Sequence, residues 1–169
     1  MSNIFYYKTP IGRLGIVEND EFITEVRFER EISSDININE EETPILKKAS
    51  HELKEYFEGK RKIFDLPLNQ SGTEFQKKVW KALEEIPYGE ISTYKDIAIN
   101  IGNIKASRAV GMANNKNPIP IFIPCHRVIG SNGKLVGYAG GLNTKEKLLK
   151  LEEIKINDKG IVSVISDLK

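Results

Sequence analysis

The chain has 169 residues, of which 40% are hydrophobic and 29% are charged, and its formal net charge is +1. This composition excludes a disordered chain and a membrane protein, and the length fits one domain or two small ones. The single cysteine, Cys125, excludes an intramolecular disulfide and a cysteine-rich zinc site, and with only two histidines we predict no bound metal. No signal peptide or bilayer-length apolar run is visible, so we predict a cytoplasmic protein.

The N-terminal part has the pattern of a β-sheet with one helix. Apolar and aromatic runs predict strands at 3–8, 14–17 and 22–28, separated by polar turns. The acidic stretch 31–42 is predicted to be a loop. Thr43 and Pro44 open a predicted helix that Gly59 ends. Its buried stripe is predicted to be Ile45, Ala49, Leu53 and Phe57, and residues 63–68 are predicted to add a further strand.

A polar segment at 69–72 is the predicted linker between two parts of opposite charge. Residues 1–72 hold 10 basic and 14 acidic side chains, whereas residues 73–152 hold 12 basic and 7 acidic ones. We therefore predict an N-terminal domain at 1–70 and a C-terminal domain at 73–155. Residues 156–169 form a tail whose apolar run, 161–165, is a candidate strand.

Three short helices follow the linker. Thr73 and Gln76 form a capping-box pattern at the start of the first, whose predicted stripe is Phe75, Val79, Trp80 and Leu83. The second starts at 92–96. The third has a narrow predicted inner face of Ala106, Ala109, Val110 and Ala113, and its outer face carries polar residues suited to DNA. The pattern is typical of a helix-turn-helix, although any small helical subdomain could produce it.

The stretch 117–141 carries the candidate chemistry. Pro118, Pro120 and Pro124 predict an extended, rigid path that delivers Cys125. A neighbouring histidine and arginine can lower the pKa of a thiol, which favours a nucleophilic role over a small buried hydrophobe. Because adjacent residues of an extended chain point to opposite sides, we expect a bridging water or a bend to link Cys125 and His126. Glu146 and Glu152 are candidates for orienting the imidazole.

Three runs of residues resemble one known family. The run Pro-Cys-His-Arg-Val at 124–128, preceded by Asn-Pro at 117–118 and followed by Gly-Tyr-Ala-Gly-Gly-Leu at 137–142, is similar to the methylated-DNA–protein-cysteine methyltransferases, or O6-alkylguanine-DNA alkyltransferases. The resemblance implies an α/β (α+β) protein. Its N-terminal part would be a ribonuclease-H-like β-sheet with a helix, and its C-terminal part a winged helix-turn-helix-like domain.

The resemblance also implies DNA repair by direct reversal of damage. An alkyl group would pass from O6-alkylguanine, or O4-alkylthymine, irreversibly to the cysteine, so that each molecule reacts once and no cofactor is used. The partner would be double-stranded DNA, bound through the minor groove by a monomer that flips the damaged base. A thiol hydrolase and a non-catalytic sensor of alkylated DNA are the alternatives.

The same resemblance assigns roles to individual residues. Cys125 would accept the alkyl group, with His126 as base through a water and Glu152 orienting His126. Tyr94 would donate a proton to the leaving guanine, and Asn117 would tie the turn before the active site. The DNA-binding residues would be Arg108, which would enter the base stack, with Ser107, Asn115, Lys116 and Arg127. The alkyl pocket would be formed by Val128, Tyr138, Ala139 and Pro120. Ala139 stands where some relatives have serine.

Overall fold

A computed structural model describes residues 1–32 and 37–162. The chain groups into two compact units. The first comprises Met1–Ser71 with Pro118–Phe122, and the second comprises Gly72–Asn117 with the chain from Ile123 onward. Within the described ranges, no helix is long and apolar enough to span a bilayer. The α/β class predicted from the sequence is confirmed.

The first unit is built on a four-stranded sheet. Its strands are β1 (Ser2–Thr9), β2 (Gly12–Asn19), β3 (Phe22–Arg27) and β4 (Ile38–Glu40), in the order β3-β2-β1-β4. The first three are antiparallel neighbours, as tight polar turns between apolar runs predict, whereas β4 pairs with β1 in parallel. The expectation of a loop throughout 31–42 was therefore wrong at β4, and residues 33–36 of that stretch lie outside the described residues.

The strand predicted at 63–68 is absent. That segment forms a single bridge, between Leu68 and Ile23, flanked by hydrogen bonds from Ile23 N to Pro67 O and from Asn69 N to Ile23 O, both 2.9 Å. Pro67 has no N–H to donate, so a longer ladder cannot form through it. Ile63, at the start of the segment, is 79% exposed.

One helix, α1 (Pro44–Phe57), packs on this sheet. Thr43 precedes it and Pro44 occupies its first turn, as predicted. Its buried face differs from the predicted stripe because the helix advances 3.6 residues per turn rather than four. Ala49 and Leu53 are buried, but Leu46 and Tyr56 replace the end residues of the predicted stripe.

The second unit contains the three predicted short helices and a fourth. The elements are α2 (Glu74–Glu84), β5 (Ser92–Thr93), α3 (Tyr94–Asn100), α4 (Ser107–Asn115), β6 (Val128–Ile129) and α5 (Leu142–Leu151). Capping boxes start α2 at Thr73 and α3 at Thr93. α4 packs on both α2 and α3, and β5 pairs with β6 in parallel. This places the residues after Cys125 beside the start of α3.

The inner face of α4 consists mainly of small residues, as predicted, but the prediction for Ala109 was wrong. Ala106, Val110 and Ala113 are buried, whereas Ala109 is exposed. Positions 106, 110 and 113 follow the helical repeat, and residue 109 lies about 100° from residue 110, on the side of Arg108. Beneath α4, the indole Nε1 of Trp80 donates to the carbonyl of Ala113 at 2.9 Å.

The last two described residues, Ile161 and Val162, pair with earlier segments of the second unit. Ile161 bridges to Lys134 and Val162 bridges to Ile156. Val162 also joins a buried apolar cluster with Ile129 and Leu149. The predicted strand at 161–165 thus begins with two bridged residues, and positions 163–165 lie outside the described residues.

Candidate active site

Cys125 lies on a turn, not on an extended strand. Residues Cys125–Arg127 form a short 3-10 helix after Pro124, whose carbonyl accepts from Arg127 N at 3.0 Å. Because a 3-10 helix has about three residues per turn, consecutive side chains point in three different directions. We expected either a bridging water or a bend of the chain to link Cys125 and His126, and the structure contains the bend.

Two asparagines fasten this turn to the end of α4. The side-chain amide of Asn117 donates to the carbonyl of Ile123 at 2.8 Å, and that of Asn114 reaches the carbonyl of Cys125 at 3.4 Å. Both asparagines are buried. The end of α4 and the turn that carries Cys125 are consequently held together by side-chain hydrogen bonds to backbone.

Burial keeps the Cys125 thiol protonated. The residue is 4% exposed, and burial raises its pKa to about 11, opposed by the Asn117 side chain and the charge of Lys145. The expectation that His126 and Arg127 lower this pKa was wrong, because both side chains are directed at Glu152 instead. The thiol therefore needs a base before it can act as a thiolate nucleophile.

A buried carboxylate holds the imidazole. His126 Nε2 lies 2.6 Å from Glu152 Oε2, and both side chains are fully buried. Glu146, the other candidate, instead pairs with Lys150 at 3.2 Å, where that lysine is 57% exposed. The backbone N–H of Gly89 also donates to Glu152, at 3.1 Å. The geometry thus selects Glu152 as the partner of His126.

Arg127 completes this cluster and is not available to DNA. Its guanidinium donates to both carboxylate oxygens of Glu152, at 2.8 and 3.2 Å, and to the carbonyl of Ile86 at 2.6 Å. Only 6% of Arg127 is exposed. The DNA contact predicted for Arg127 finds no support in this geometry, because the guanidinium is engaged by buried partners.

The charges of this cluster follow from its partners. Burial would raise the pKa of Glu152, but the hydrogen bond to His126 and the permanent charge of Arg127 outweigh it and lower this pKa to about 2. Burial lowers the pKa of His126. The histidine is therefore neutral and donates from Nε2 to an ionised carboxylate, which makes Nδ1 its proton-accepting nitrogen.

Lys145 is a site residue that the sequence reasoning missed. It is fully buried on α5, and its Nζ donates to the carbonyls of Val128 at 2.5 Å and Val136 at 2.9 Å. Burial lowers its pKa to about 8, opposed by Cys125. A signal was present in the sequence: Lys145 precedes Leu148 and Glu152 by three and seven residues, the spacing of one buried helix face.

Tyr94 shares an acceptor with this lysine. Its hydroxyl donates to the carbonyl of Val136 at 2.9 Å, and burial with the nearby Cys125 raises its pKa to about 12. Tyr94, Lys145 and Cys125 are therefore electrostatically linked. A hydroxyl and an ammonium that converge on one carbonyl next to a thiol can deliver a proton or stabilise a developing negative charge.

The remaining predicted residues divide into three groups. Arg108, Asn115 and Lys116 are exposed at α4, and Ser107 is half-buried at its start. Tyr138 is buried and Ala139 is half-buried, in the loop before α5. Pro120 is buried and belongs to the first unit.

Comparisons with known proteins bear on the same two parts of the chain. Residues 74–154 match the profile of the 6-O-methylguanine DNA methyltransferase DNA-binding domain, and residues 5–70 match that of the ribonuclease-like domain of the same proteins. The methylated-DNA–protein-cysteine methyltransferase of Methanosarcina acetivorans is 54% identical over 151 residues, which cover 86% of this chain and 95% of that protein. The chain belongs to this methyltransferase family.

Further relatives extend the match. The constitutive methylated-DNA–protein-cysteine methyltransferase of Bacillus subtilis is 50% identical, over 90% of this chain and 96% of its own length. Among solved structures, Mycobacterium tuberculosis OGT in complex with DNA is 44% identical with a TM-score of 0.83, covering 89% of this chain and 92% of that one. The methyltransferase family named from the run at 124–128 is therefore confirmed, and so is its two-part fold.

Proposed function

We propose that this chain repairs alkylated DNA by transferring the alkyl group from O6 of guanine to its own Cys125. The observation that carries the proposal is a buried thiol on a tight turn, next to a His126–Glu152 pair at 2.6 Å, within the family's DNA-binding domain. The names of its relatives support the same reaction.

The first step is activation of the thiol. Burial raises the pKa of Cys125 to about 11, so a proton must leave as the nucleophile forms. In the proposal it passes through a water to Nδ1 of His126. The imidazolium is then stabilised by Glu152, which is already ionised because its pKa is about 2. Glu152 is thus a positioning residue, whereas Cys125 meets the substrate.

The second step is displacement at the alkyl carbon. The sulfur–carbon bond forms as the carbon–O6 bond breaks, and the electron pair of the broken bond goes to guanine. Tyr94 donates a proton to the departing base. The proton that His126 took from Cys125 then returns to Tyr94 through water, so both side chains regain their starting protonation states. Lys145 assists both the nucleophile and the leaving group. Its charge stabilises the Cys125 thiolate, and its Nζ donates to the carbonyl of Val136, which also accepts from Tyr94.

Access to the alkyl carbon requires that the base leaves the duplex. In the proposal the protein binds DNA as a monomer, and α4 enters the minor groove. Arg108 fills the gap left in the base stack, and Asn115 and Lys116 contact the sugar-phosphate backbone of the DNA. Tyr138, Ala139 and the backbone of Val128 border the alkyl group and the flipped base. O4-alkylthymine is the second proposed substrate.

The test is the mass of the intact protein after mixing with a duplex that carries one O6-methylguanine. We expect a gain of one methyl group, mapped to Cys125 and stopping at one per molecule. The matched control is Cys125→Ser, which should bind the same duplex without gaining mass. Binding by the wild type with no mass change would instead establish a damage sensor, and multiple turnover on an ester would establish a thiol hydrolase.

A further inference from the structure

Met112 stands out on the exposed face of α4. It is 61% exposed, whereas Val110, Ala113 and Asn114 on the opposite face are buried. With about 100° between consecutive residues, Met112 lies about 40° from Arg108 and about 60° from Asn115 around the helix axis. An apolar side chain therefore occupies the middle of the face whose polar residues are proposed to meet DNA.

The surroundings of this face favour one kind of partner. Residues 94–116, which span α3 and α4, carry four basic side chains and one acidic one. The whole segment lies within the match to the family's DNA-binding domain. A single exposed methionine is ordinary on a protein surface. This one lies on a helix that has Arg108 in its first turn and Lys116 at its end, within a match to a DNA-binding domain, and such cations attract a polyanion.

The face also borders the chemistry. A Cβ built on Gly111, the residue before Met112, would lie 3.9 Å from the ring of Tyr94. The hydroxyl of that ring reaches the carbonyl of Val136, which Lys145 also binds. Met112 is thus the next residue of α4 after Gly111, the residue that faces the ring of Tyr94.

We infer that Met112 is an apolar DNA contact, which packs against the minor-groove edge of the bases beside the nucleotide that leaves the stack. The inference rests on the proposed function and adds a residue to it. Apolar side chains inserted from the minor groove loosen base steps and favour a bent, opened duplex. A thioether has no strong hydrogen-bonding group and three rotatable bonds, so it adapts to any base pair. That suits a protein that must read damage in every sequence context.

The experiment compares three substitutions of one side chain. Met112→Ala removes the apolar surface, Met112→Gln keeps the length but makes the tip polar, and Met112→Leu keeps the apolar volume. The single-turnover rate of transfer is measured on a duplex with O6-methylguanine and on the free base O6-benzylguanine. Affinity for the same duplex is measured in a Cys125→Ser background, where no transfer follows binding. Ile63→Ala, at a residue that is 79% exposed in the first unit, is the control for loss of exposed apolar surface.

We expect Met112→Ala and Met112→Gln to slow transfer from the duplex about 5- to 20-fold, with weaker binding, while Met112→Leu restores most of the rate. The free-base rate and the thermal midpoint should stay at the wild-type values, because the side chain is exposed. Equal duplex rates for Met112→Ala and the wild type would overturn the inference while leaving the proposed function intact. A wild type that does not react with the duplex would overturn the proposed function itself.

Discussion

The outer face of α4 presents its side chains to solvent, whereas the residues around Cys125 direct theirs into one another. On α4, Arg108 and Met112 are exposed. Behind the nucleophile, Glu152 alone accepts from an imidazole, a guanidinium and a backbone N–H. The face proposed to meet DNA is left open, and the site proposed to deprotonate a thiol is completed internally. Changes in the two regions should therefore separate cleanly in their effects on folding, chemistry and duplex recognition.

The largest effect should come from breaking the buried cluster from one side. Glu152→Gln leaves the Arg127 guanidinium buried without its full charge partner, which typically costs about 3–5 kcal/mol. We expect the free energy of unfolding to fall by that amount, and transfer to slow on both duplex and free base. Urea unfolding followed by fluorescence measures the first effect.

Glu146→Gln, on the same helix, provides the control for that change. Its partner Lys150 is 57% exposed, so the loss should stay below about 1 kcal/mol. Equal losses for the two variants would mean that the buried cluster contributes no more than a surface ion pair.

Low pH should destabilise the protein through the same carboxylate, Glu152. The pKa of Glu152 is lowered from 4.5 to about 2, so its contribution is complete above pH 4.5 and is lost as the pH falls from 4.5 towards 2. The loss should be about 3 kcal/mol across that window. Unfolding free energies measured at several pH values should fall less steeply for Glu152→Gln than for the wild type. Parallel curves would show that other carboxylates account for the acid sensitivity.

Lys145→Met should slow the chemistry without affecting duplex recognition. Removing the ammonium deprives the Cys125 thiolate of a buried positive charge, and we expect transfer to slow about 100-fold on duplex and free base alike. Lys147→Met, at an exposed position of the same helix, should leave both rates unchanged. Stopped-flow single-turnover rates decide the matter, and a loss confined to the duplex would place Lys145 with the DNA-reading residues.

Arg108→Ala should give the smallest of these effects and the reverse pattern. We expect transfer from the duplex to slow about tenfold because nothing replaces the extruded base, with the free-base rate and stability unchanged. Lys105→Ala, an exposed cation before α4, is the control for general loss of charge. Equal loss on both substrates would contradict a role in base extrusion.

The sequence predicted what local patterns control. The strands β1 to β3 and the capped starts of α2 and α3 each depend on residues within a few positions of one another. The nucleophile and its histidine are adjacent in the chain, so their identity needed no tertiary information.

What the sequence did not predict depends on residues far apart in the chain. Arg127 looked like a surface cation because its partner, Glu152, lies 25 residues away. Lys145 was overlooked because lysines are rarely buried, and the carbonyls that receive it come from two other segments. The segment Pro118–Phe122 groups with the first unit through contacts such as Val26 N to Pro118 O, at 2.8 Å, which no local pattern encodes.

The hydrogen bond between Trp80 and Ala113 has a practical consequence. Trp80 is the only tryptophan in the chain, it is 1% exposed, and its indole N–H is bonded to the backbone of α4. Light absorbed selectively by tryptophan is therefore re-emitted from one place, directly beneath α4. A change in emission wavelength on adding DNA would report a movement of α4 relative to Trp80, in the native protein and without an attached dye.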